Sequence, residues 1–379
     1  MVKKIANIVF NPFTNDSRVL KESFSLAYNG YDVEVIAHGD DALATQEQKD
    51  GIKIVRFAYL NRKKTSSKLQ KLVIYLQWVQ QVSSYVKDFD ILHCNDLNAL
   101  PIAYIVKRVY KRDIKVVYDA HEYETEINGL SGIQKILVKK LEKFLIKYAD
   151  RVICVSDAIA NEYVKLYGIK KPALILNTPP YKQLSKKDLF RESLNIEQDK
   201  TIFLYQGSIS KGRGVEIVTE CFTTLQETNA VVVFMGYGEL EEYVKEMAKK
   251  YTNIYFHPAV TPEVLLEYTS SADFGISTIE DSCLSYRYCL PNKMFEYMMA
   301  ELPLIVSNLP EMAKVVQKYG VGVVAKENSA KGLQEAIQEA VGLDKEHLLK
   351  NIEETKKIYN WQEQERVLLE VYRSLDVEL

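Results

Sequence analysis

The sequence has no C-x-x-C pair. Its five cysteines, Cys94, Cys154, Cys221, Cys283 and Cys289, are odd in number and scattered, which argues against a disulfide framework and a zinc site of the usual spacing. A reducing, cytoplasmic setting suits such a set. No uninterrupted apolar run approaches the roughly 20 residues that a bilayer-spanning helix needs. Low-complexity tracts, heptad seams and internal repeats are also missing. The stretch MVKKIANIVFNPF carries lysines ahead of a short apolar run, but Asn7 and Asn11 bound that run and no small-residue cleavage site follows. It reads as a first strand rather than a signal peptide.

What is present is the composition of a folded protein: 379 residues, 47% hydrophobic and 26% charged. That length exceeds what one core usually serves, so two domains are expected. The net charge of −2 conceals an asymmetry, because residues 1–176 hold 27 Lys and Arg against 20 Asp and Glu, whereas residues 177–379 hold 22 against 31. From the start, short β-rich runs alternate with helical patterns: KIANIVF, RVLKESFSLAYNG, DVEVIAH, then DILHCN, DLNALPIAYIVKRVY, KVVYDAH. Near-continuous apolar strands in that alternation predict parallel sheets covered by helices on both faces. Gly30 is placed to stop the first helix, and Ser156 or Asp157 to cap the one after RVICVS. The alternation breaks at NTPPYKQLSKKDLFRESLNIEQDK, residues 177–200, which reads as a linker with a peripheral helix. A second series follows, from TIFLYQGS to GVGVVA. The expectation is two Rossmann-like, doubly wound α/β domains, 1–176 and 201–359, with any ligand in the cleft between their strand C-terminal ends.

Polar residues stand at several strand ends. In CLPNKMFEYMMAELPLIV, Met294, Phe295, Met298 and Met299 form one helical stripe and Lys293, Glu296, Tyr297 and Ala300 another. The first is expected to pack inward and the second to face something else. A helix N-terminus flanked by lysine attracts an anion such as phosphate, and a glutamate one turn deeper can accept hydrogen bonds from a diol. An ordinary surface pair, worth about 0.2–0.5 kcal/mol, explains the spacing equally well. QGSISKGRGVEIV interleaves three glycines with Lys211 and Arg213, as a phosphate-approaching loop or a simple turn would. FMGYGELEEYV half-matches G-x-G-x-x-G through Gly236 and Gly238, but Glu241 occupies the last glycine position, so a tight strand–helix turn competes with a dinucleotide site. In the first half, YDAHEYETE brings Asp119, His121, Glu122 and Glu124 past a buried strand. A histidine there can carry protons or bind a sugar hydroxyl; metal ligation is disfavoured because no second histidine sits at ligand spacing. NPFTNDSRVLKES offers Asp16 or Ser17 as an N-cap with Arg18 unexplained, and ILHCNDLNALP leaves Asn95 and Asp96 at a strand end. Asp88 and Asp90 form an Asp-x-Asp, but they precede a strand and read as its polar lead-in.

Taken in order, NPFTNDSRVLKESFSLAYNGYDVEVIA, DILHCNDLNALPIA, VVYDAHEY, ADRVICVSDAIA, YQGSISKGRGVEIV, FMGYGE, SADFGIST and LPNKMFEYMMAELPLIVS resemble the blocks of a family-four retaining glycosyltransferase of the GT-B fold, of bacterial cell-surface polysaccharide type. YNWQEQERVLLEVYRSL resembles the family's C-terminal helix, which would let residues 360–379 complete the first domain. The resemblance implies transfer from a UDP- or GDP-linked sugar to a saccharide or lipid-linked acceptor, with retention, no obligatory metal and no cofactor beyond the nucleotide sugar. It implies catalytic roles for His121, lining the donor sugar, and Glu296, holding the ribose. Gly207, Ser208, Arg213, Gly236, Gly238, Pro291, Asn292 and Lys293 would bind the donor, and Asp16, Arg18, Asn95 and Asp96 the acceptor. This chain departs from the family at Tyr288, where a second glutamate is frequent, at Ser208, where arginine is, and at Glu301, where a capping glycine is usual.

Two basic amphipathic stretches, 60–80 and 132–150, predict either ordinary core packing with a solvated lysine face or a peripheral contact with an anionic inner membrane leaflet. No nucleic-acid partner is expected. A nucleotide-sugar epimerase or hydrolase on the same fold, and a nicotinamide-dependent dehydrogenase resting on FMGYGE, are the competing readings.

Overall fold

The computed structural model describes residues 2–39, 42–58, 67–226 and 228–376. The chain divides into two compact units, Met1–Ile175 with Glu365–Leu379, and Leu176–Gln364.

In the first unit the strands are β1 Lys4–Val9, β2 Asp32–Gly39, β3 Gln46–Lys49, β4 Ile52–Ala58, β5 Ile91–Asn95, β6 Lys115–Ala120, β7 Arg151–Cys154 and β8 Ala173–Leu174. The helices between them are α1 Ser17–Tyr28, α2 Lys68–Val86, α3 Asp96–Tyr104, α4 Gly132–Leu145 and α5 Asp157–Tyr167. The sheet order is β3-β4-β2-β1-β5-β6-β7-β8. Every described pairing is parallel except β3 with β4. That antiparallel edge was not legible, because QEQK is wholly polar and fully exposed; polarity of this kind blunts a sheet edge. The local signals hold: Asp16 caps α1 by accepting from the Val19 N–H, Gly30 follows it with φ +90°, and Ser156 caps α5. Right-handed crossovers place α1 on one face of the sheet and α2, α3, α4 and α5 on the other.

The second unit contains α6 Leu189–Leu194, β9 Thr201–Ser208, α7 Val215–Thr223, β10 Ala230–Tyr237, α8 Glu241–Lys250, β11 Ile254–Pro258, α9 Pro262–Thr269 and β12 Phe274–Ser277. It continues through α10 Leu284–Arg287, α11 Asn292–Met299, β13 Leu304–Val306, α12 Pro310–Tyr319, β14 Gly322–Val324, α13 Ala330–Val341, α14 Lys345–Lys356 and α15 Trp361–Arg373. Its sheet, β11-β10-β9-β12-β13-β14, is parallel throughout. Residues 177–200 are bound to this unit rather than free: Trp361 N–H donates to the Pro179 carbonyl, Lys186 pairs with Asp273, and Leu189 N–H donates to Ser271. From Glu365 onward α15 belongs to the first unit, where Tyr372 stacks on His93.

The two stripes of α11 divide differently from the expectation. Met294, Phe295, Met298 and Met299 are buried, but so are Tyr297 and Ala300. The Tyr297 ring lies so close over Gly275 that a Cβ there would meet it at 2.3 Å, and its hydroxyl accepts from the Gln206 N–H. A tyrosine whose polar tip finds backbone partners is a core residue, so Lys293 and Glu296 remain as the half-buried pair. Glu301, in place of a capping glycine, adopts φ +63°, and its carboxylate takes a 2.8 Å bond from the fully buried Lys356.

Candidate active site

Each sheet reverses its strand order once, and such a switch point opens a crevice at the strands' C-terminal ends. In the second unit the reversal falls between β9 and β12. β9 ends in Gln206, Gly207 and Ser208, with Gly207 at φ +105°, a region that favours glycine. Gly236 pairs with Gly207 across the strands, and a Cβ on it would meet the Gly207 carbonyl oxygen at 1.9 Å. Gly238 also packs on backbone, where a Cβ would meet the Ile209 carbonyl oxygen at 2.4 Å. Both glycines are therefore explained by backbone approach, and Glu241 starts α8 where a dinucleotide fingerprint needs glycine. Gly214 leads into α7 with φ +73° against Thr278. These contacts fix the loop that carries Arg213.

Into this crevice α11 sends its first turn. Pro291 precedes it and gives no side-chain cap, leaving first-turn N–H groups without that partner; Asn292 follows, exposed. The Lys293 ammonium is buried without a hydrogen-bond partner and stands 3.8 Å from the centre of the Tyr205 ring. Burial and the neighbouring Arg213 pull its pKa down from 10.5 to about 7, against the pull of Glu296. Arg213 lies over the Tyr286 ring at 4.5 Å. Tyr205 steadies the loop by donating toward the carbonyls of Ser208 and Arg213, at 2.8 and 3.1 Å. Glu296 accepts from the Gln206 amide at 2.5 Å, and the Gln206 carbonyl in turn accepts from Thr269. Ser208 is exposed and meets Ser210 at 2.8 Å. All nine donor-side residues named from the sequence thus sit on the strand ends, loops and first five α11 residues at one sheet edge. Sequence reasoning missed Gln206, which orients Glu296, and the two tyrosines beneath the cations; the Gln directly before Gly207 was the available signal.

The first unit reverses between β1 and β5. Asn95, at the end of β5, is fully buried and donates to Asn7 and to the Ile8 carbonyl. His121 Nε2 stands 3.0 Å from Asn95 Oδ1 and 3.2 Å from Asp119 Oδ2, while Nδ1 stands 3.6 Å from Asp96. Burial opposes charge on His121, but Asp96 and Asp119 outweigh it and raise the pKa to about 9. Asp119 is held well below the carboxylate range: burial opposes this, and Arg18 and His121 overcome it. Arg18 corrects an expectation. It is 4% exposed, donates through two nitrogens to both Asp119 oxygens and through a third to the Ile175 carbonyl. Its three guanidinium nitrogens are thus engaged inside the first unit, which makes it a structural residue in this conformation. Of the acceptor-side residues, Asp16 and Asp96 are partly exposed; Asp16 already caps α1 and accepts from Asn11.

Beneath His121 the structure gathers residues that the sequence did not single out together. Glu22, His93 and Asp119 are fully buried, with one ligand atom each within 4.8 Å of the others. His93 Nδ1 meets the Tyr372 hydroxyl at 2.7 Å. Burial, then Asp119, raises the Glu22 carboxyl to about 7, although Arg18 and His93 pull the other way. Arg18 bonds both Asp119 oxygens and approaches Glu22 at 3.2 Å, so this cluster already holds its cation. The Asp-x-Asp pair is structural as well: Asp90 accepts from the Lys4 N–H and Asp88 pairs with Arg112.

The raised pKa of His121 makes a pH prediction. Its charge stabilises the fold fully below its ordinary value of 6.5, and that contribution is lost as pH rises through about 9. Chemical denaturation of wild type and His121→Gln should show a difference in stability that shrinks by about 2 kcal/mol across this window. An unchanged difference would refute the charged histidine.

The arrangement can hold an anion on one sheet edge and a diol beside it. Comparison with known proteins decides what the chain is. The profile of Glycosyltransferase Family 4 matches residues 19–177, and that of Glycosyl transferases group 1 matches residues 186–358. The chain belongs to the family-four glycosyltransferases and has the GT-B fold. An uncharacterised glycosyltransferase of Methanocaldococcus jannaschii is 21% identical over 79% of this chain and 77% of its own. A Bacillus subtilis glycosyltransferase named for teichuronic acid biosynthesis is 24% identical over 57% of this chain and 55% of its own. Among solved structures, sucrose-phosphate synthase from Thermosynechococcus elongatus aligns with a TM-score of 0.76 at 18% identity, over 98% of this chain and 99% of its own. Anabaena HepE in complex with UDP and glucose aligns with a TM-score of 0.74 at 15% identity, over the same shares. No helix among the described residues of this glycosyltransferase is long and apolar enough to cross a membrane.

Proposed function

We propose that this glycosyltransferase moves a sugar from a UDP- or GDP-linked donor to a saccharide or lipid-linked acceptor, with retention, without an obligatory metal or further cofactor, in cell-surface polysaccharide synthesis in the cytoplasm at the inner membrane face. The observation that carries the donor assignment is the buried Lys293 ammonium, unpartnered at the mouth of α11 and close to Arg213. Such a group costs free energy until an anion arrives. When the glycosidic bond breaks, its electron pair goes to a diphosphate oxygen, and two cations already in place stabilise that charge. Glu296, aligned by Gln206, receives the ribose hydroxyls. In this reading His121 addresses a hydroxyl of the transferred sugar, and Asp119 and Asn95 are positioning residues that fix its ring. The complex of HepE with UDP-glucose and the teichuronic acid name of the Bacillus relative support a nucleotide sugar and a polysaccharide product.

Glu296→Ala should retain the wild-type melting temperature within a few degrees while sugar transfer from the preferred donor falls by about 10²-fold or more. A panel of UDP and GDP sugars, scored first by thermal shift and then by product formation, checks this. Wild-type turnover in the variant would remove Glu296 from the site. Donor consumption that proceeds without any acceptor would favour hydrolysis over transfer.

A further inference from the structure

Shortly past His121, the loop after β6 turns Glu124 back onto the start of α3. The Leu97 N–H donates to Glu124 Oε2 at 3.4 Å, and the carboxyls of Glu124 and Asp96 share a hydrogen bond. Two ionised carboxylates have no donor between them, so such a bond requires that one of the pair be protonated. The surroundings decide which. Glu124 is half-buried and faces, besides Asp96, the fully buried Glu142 of α4, with Tyr118 of β6 and Tyr163 of α5 close by. Glu142 already accepts from Tyr118, Tyr163 and Tyr167 at 2.5–2.7 Å. Burial, then Asp96, then Glu142 push the Glu124 carboxyl well above the carboxylate range, against the single N–H of Leu97. Asp96, 34% exposed at its side chain, is the carboxylate that helps to hold His121 charged.

Asp96 also has an unusual backbone. Its φ is +59°, in the left-handed region that non-glycine residues seldom adopt, where β5 passes into α3. This turn brings Asp96 Oδ1 within 3.3 Å of the His121 N–H and 3.6 Å of its Nδ1. The other ring nitrogen, Nε2, is taken up by Asn95 and Asp119. Nδ1 and Asp96 stand too far apart for a good hydrogen bond with each other. A hydroxyl that accepts from Nδ1–H and donates to the carboxylate satisfies both.

We infer that Glu124 is a protonated positioning residue: its carboxyl O–H donates to Asp96 and holds that carboxylate beside His121 Nδ1, so that the two bracket one hydroxyl of the transferred sugar. The inference rests on the assignment of His121 to that sugar. Glu124 itself never meets the substrate.

Two of its tests need no substrate. The infrared difference spectrum of wild type minus Glu124→Gln at pH 7 should show the loss of one protonated-carboxyl C=O stretch. The His121 ring, titrated by NMR in full-length protein carrying isotope-labelled histidine and assigned with His121→Gln, should keep its wild-type midpoint in Glu124→Gln, because one neutral donor replaces another. Asp96→Asn, which a left-handed backbone tolerates, should make His121 a stronger acid by about tenfold or more. Transfer from the preferred sugar of the UDP and GDP panel should fall about tenfold or more in Glu124→Leu, which cannot donate, and recover most of that loss in Glu124→Gln. A carboxylate band in the difference spectrum, a lowered His121 midpoint in Glu124→Gln, or a glutamine variant as slow as the leucine one overturns the inference, since each makes Glu124 an anion. Should Glu124→Gln not fold, Asp96→Asn still decides: an unmoved His121 midpoint there refutes the arrangement. The spectra are read without sugar transfer, so their failure leaves the transferase assignment standing.

Discussion

Lys293→Met should raise the stability of the ligand-free protein at pH 7 by about 2–4 kcal/mol and, in the same variant, lower sugar transfer by about 10²–10³-fold. Opposite signs follow from one cause. The Lys293 ammonium is buried with no hydrogen-bond partner, and its pKa falls from 10.5 to about 7. A lysine with a depressed folded pKa costs folding free energy at every pH below 10.5, and that cost grows until pH reaches about 7. Methionine fills nearly the same volume without charge and keeps contact with the Tyr205 ring. The gain in stability should accordingly disappear as pH approaches 10.5. With diphosphate bound, the ammonium gains its missing partner, so at pH 8 binding of UDP by wild type should take up a proton and binding by the variant should not. Calorimetry in buffers of different ionisation enthalpy reads that uptake. A destabilised variant would mean that the ammonium has a partner in the free protein.

Arg18→Ala should cost about 3–5 kcal/mol, because it strands Asp119 and Glu22 as uncompensated buried carboxyls. Arg18 donates to both Asp119 oxygens and to the Ile175 carbonyl, which closes the last strand of the first unit. Arg18→Lys restores one charge but not the planar fork, and should recover part of the loss. Urea denaturation at pH 7 separates this from an acceptor-binding role: an alanine variant as stable as wild type, with only the acceptor KM raised, would return Arg18 to the acceptor side.

These two residues mark how far the sequence could be read. Strand–helix alternation, the caps at Asp16 and Ser156 and the stop at Gly30 were legible because each depends on local periodicity or on one backbone conformation. The cationic mouth of α11 was legible for the same reason, since helix polarity is local. Arg18 was not, because its partner Asp119 lies 101 residues away and nothing near Arg18 in the chain reveals the contact. Tyr297 was misplaced because helical spacing assigns a stripe but cannot tell a pocket from a glycine hollow in the sheet below, which Gly275 supplies. Glu22 and His93 escaped notice for a related reason: in KES and ILHCN each stands singly among unremarkable neighbours, and only the packing of α1, β5 and α15 brings them together. For α2 and α4 the pattern left core packing and a surface contact both open, since periodicity reports that a face exists and not what covers it; residues 60–66 of the first basic stretch lie outside the described residues.

The most direct measurement is a crystal structure of this glycosyltransferase soaked with its preferred nucleotide sugar. The diphosphate should lie within hydrogen-bond distance of Lys293 Nζ at the first turn of α11, with the ribose hydroxyls on Glu296. Nucleotide density at the edge of β1 and β5, or on any surface away from the β9 and β12 strand ends, would contradict the account.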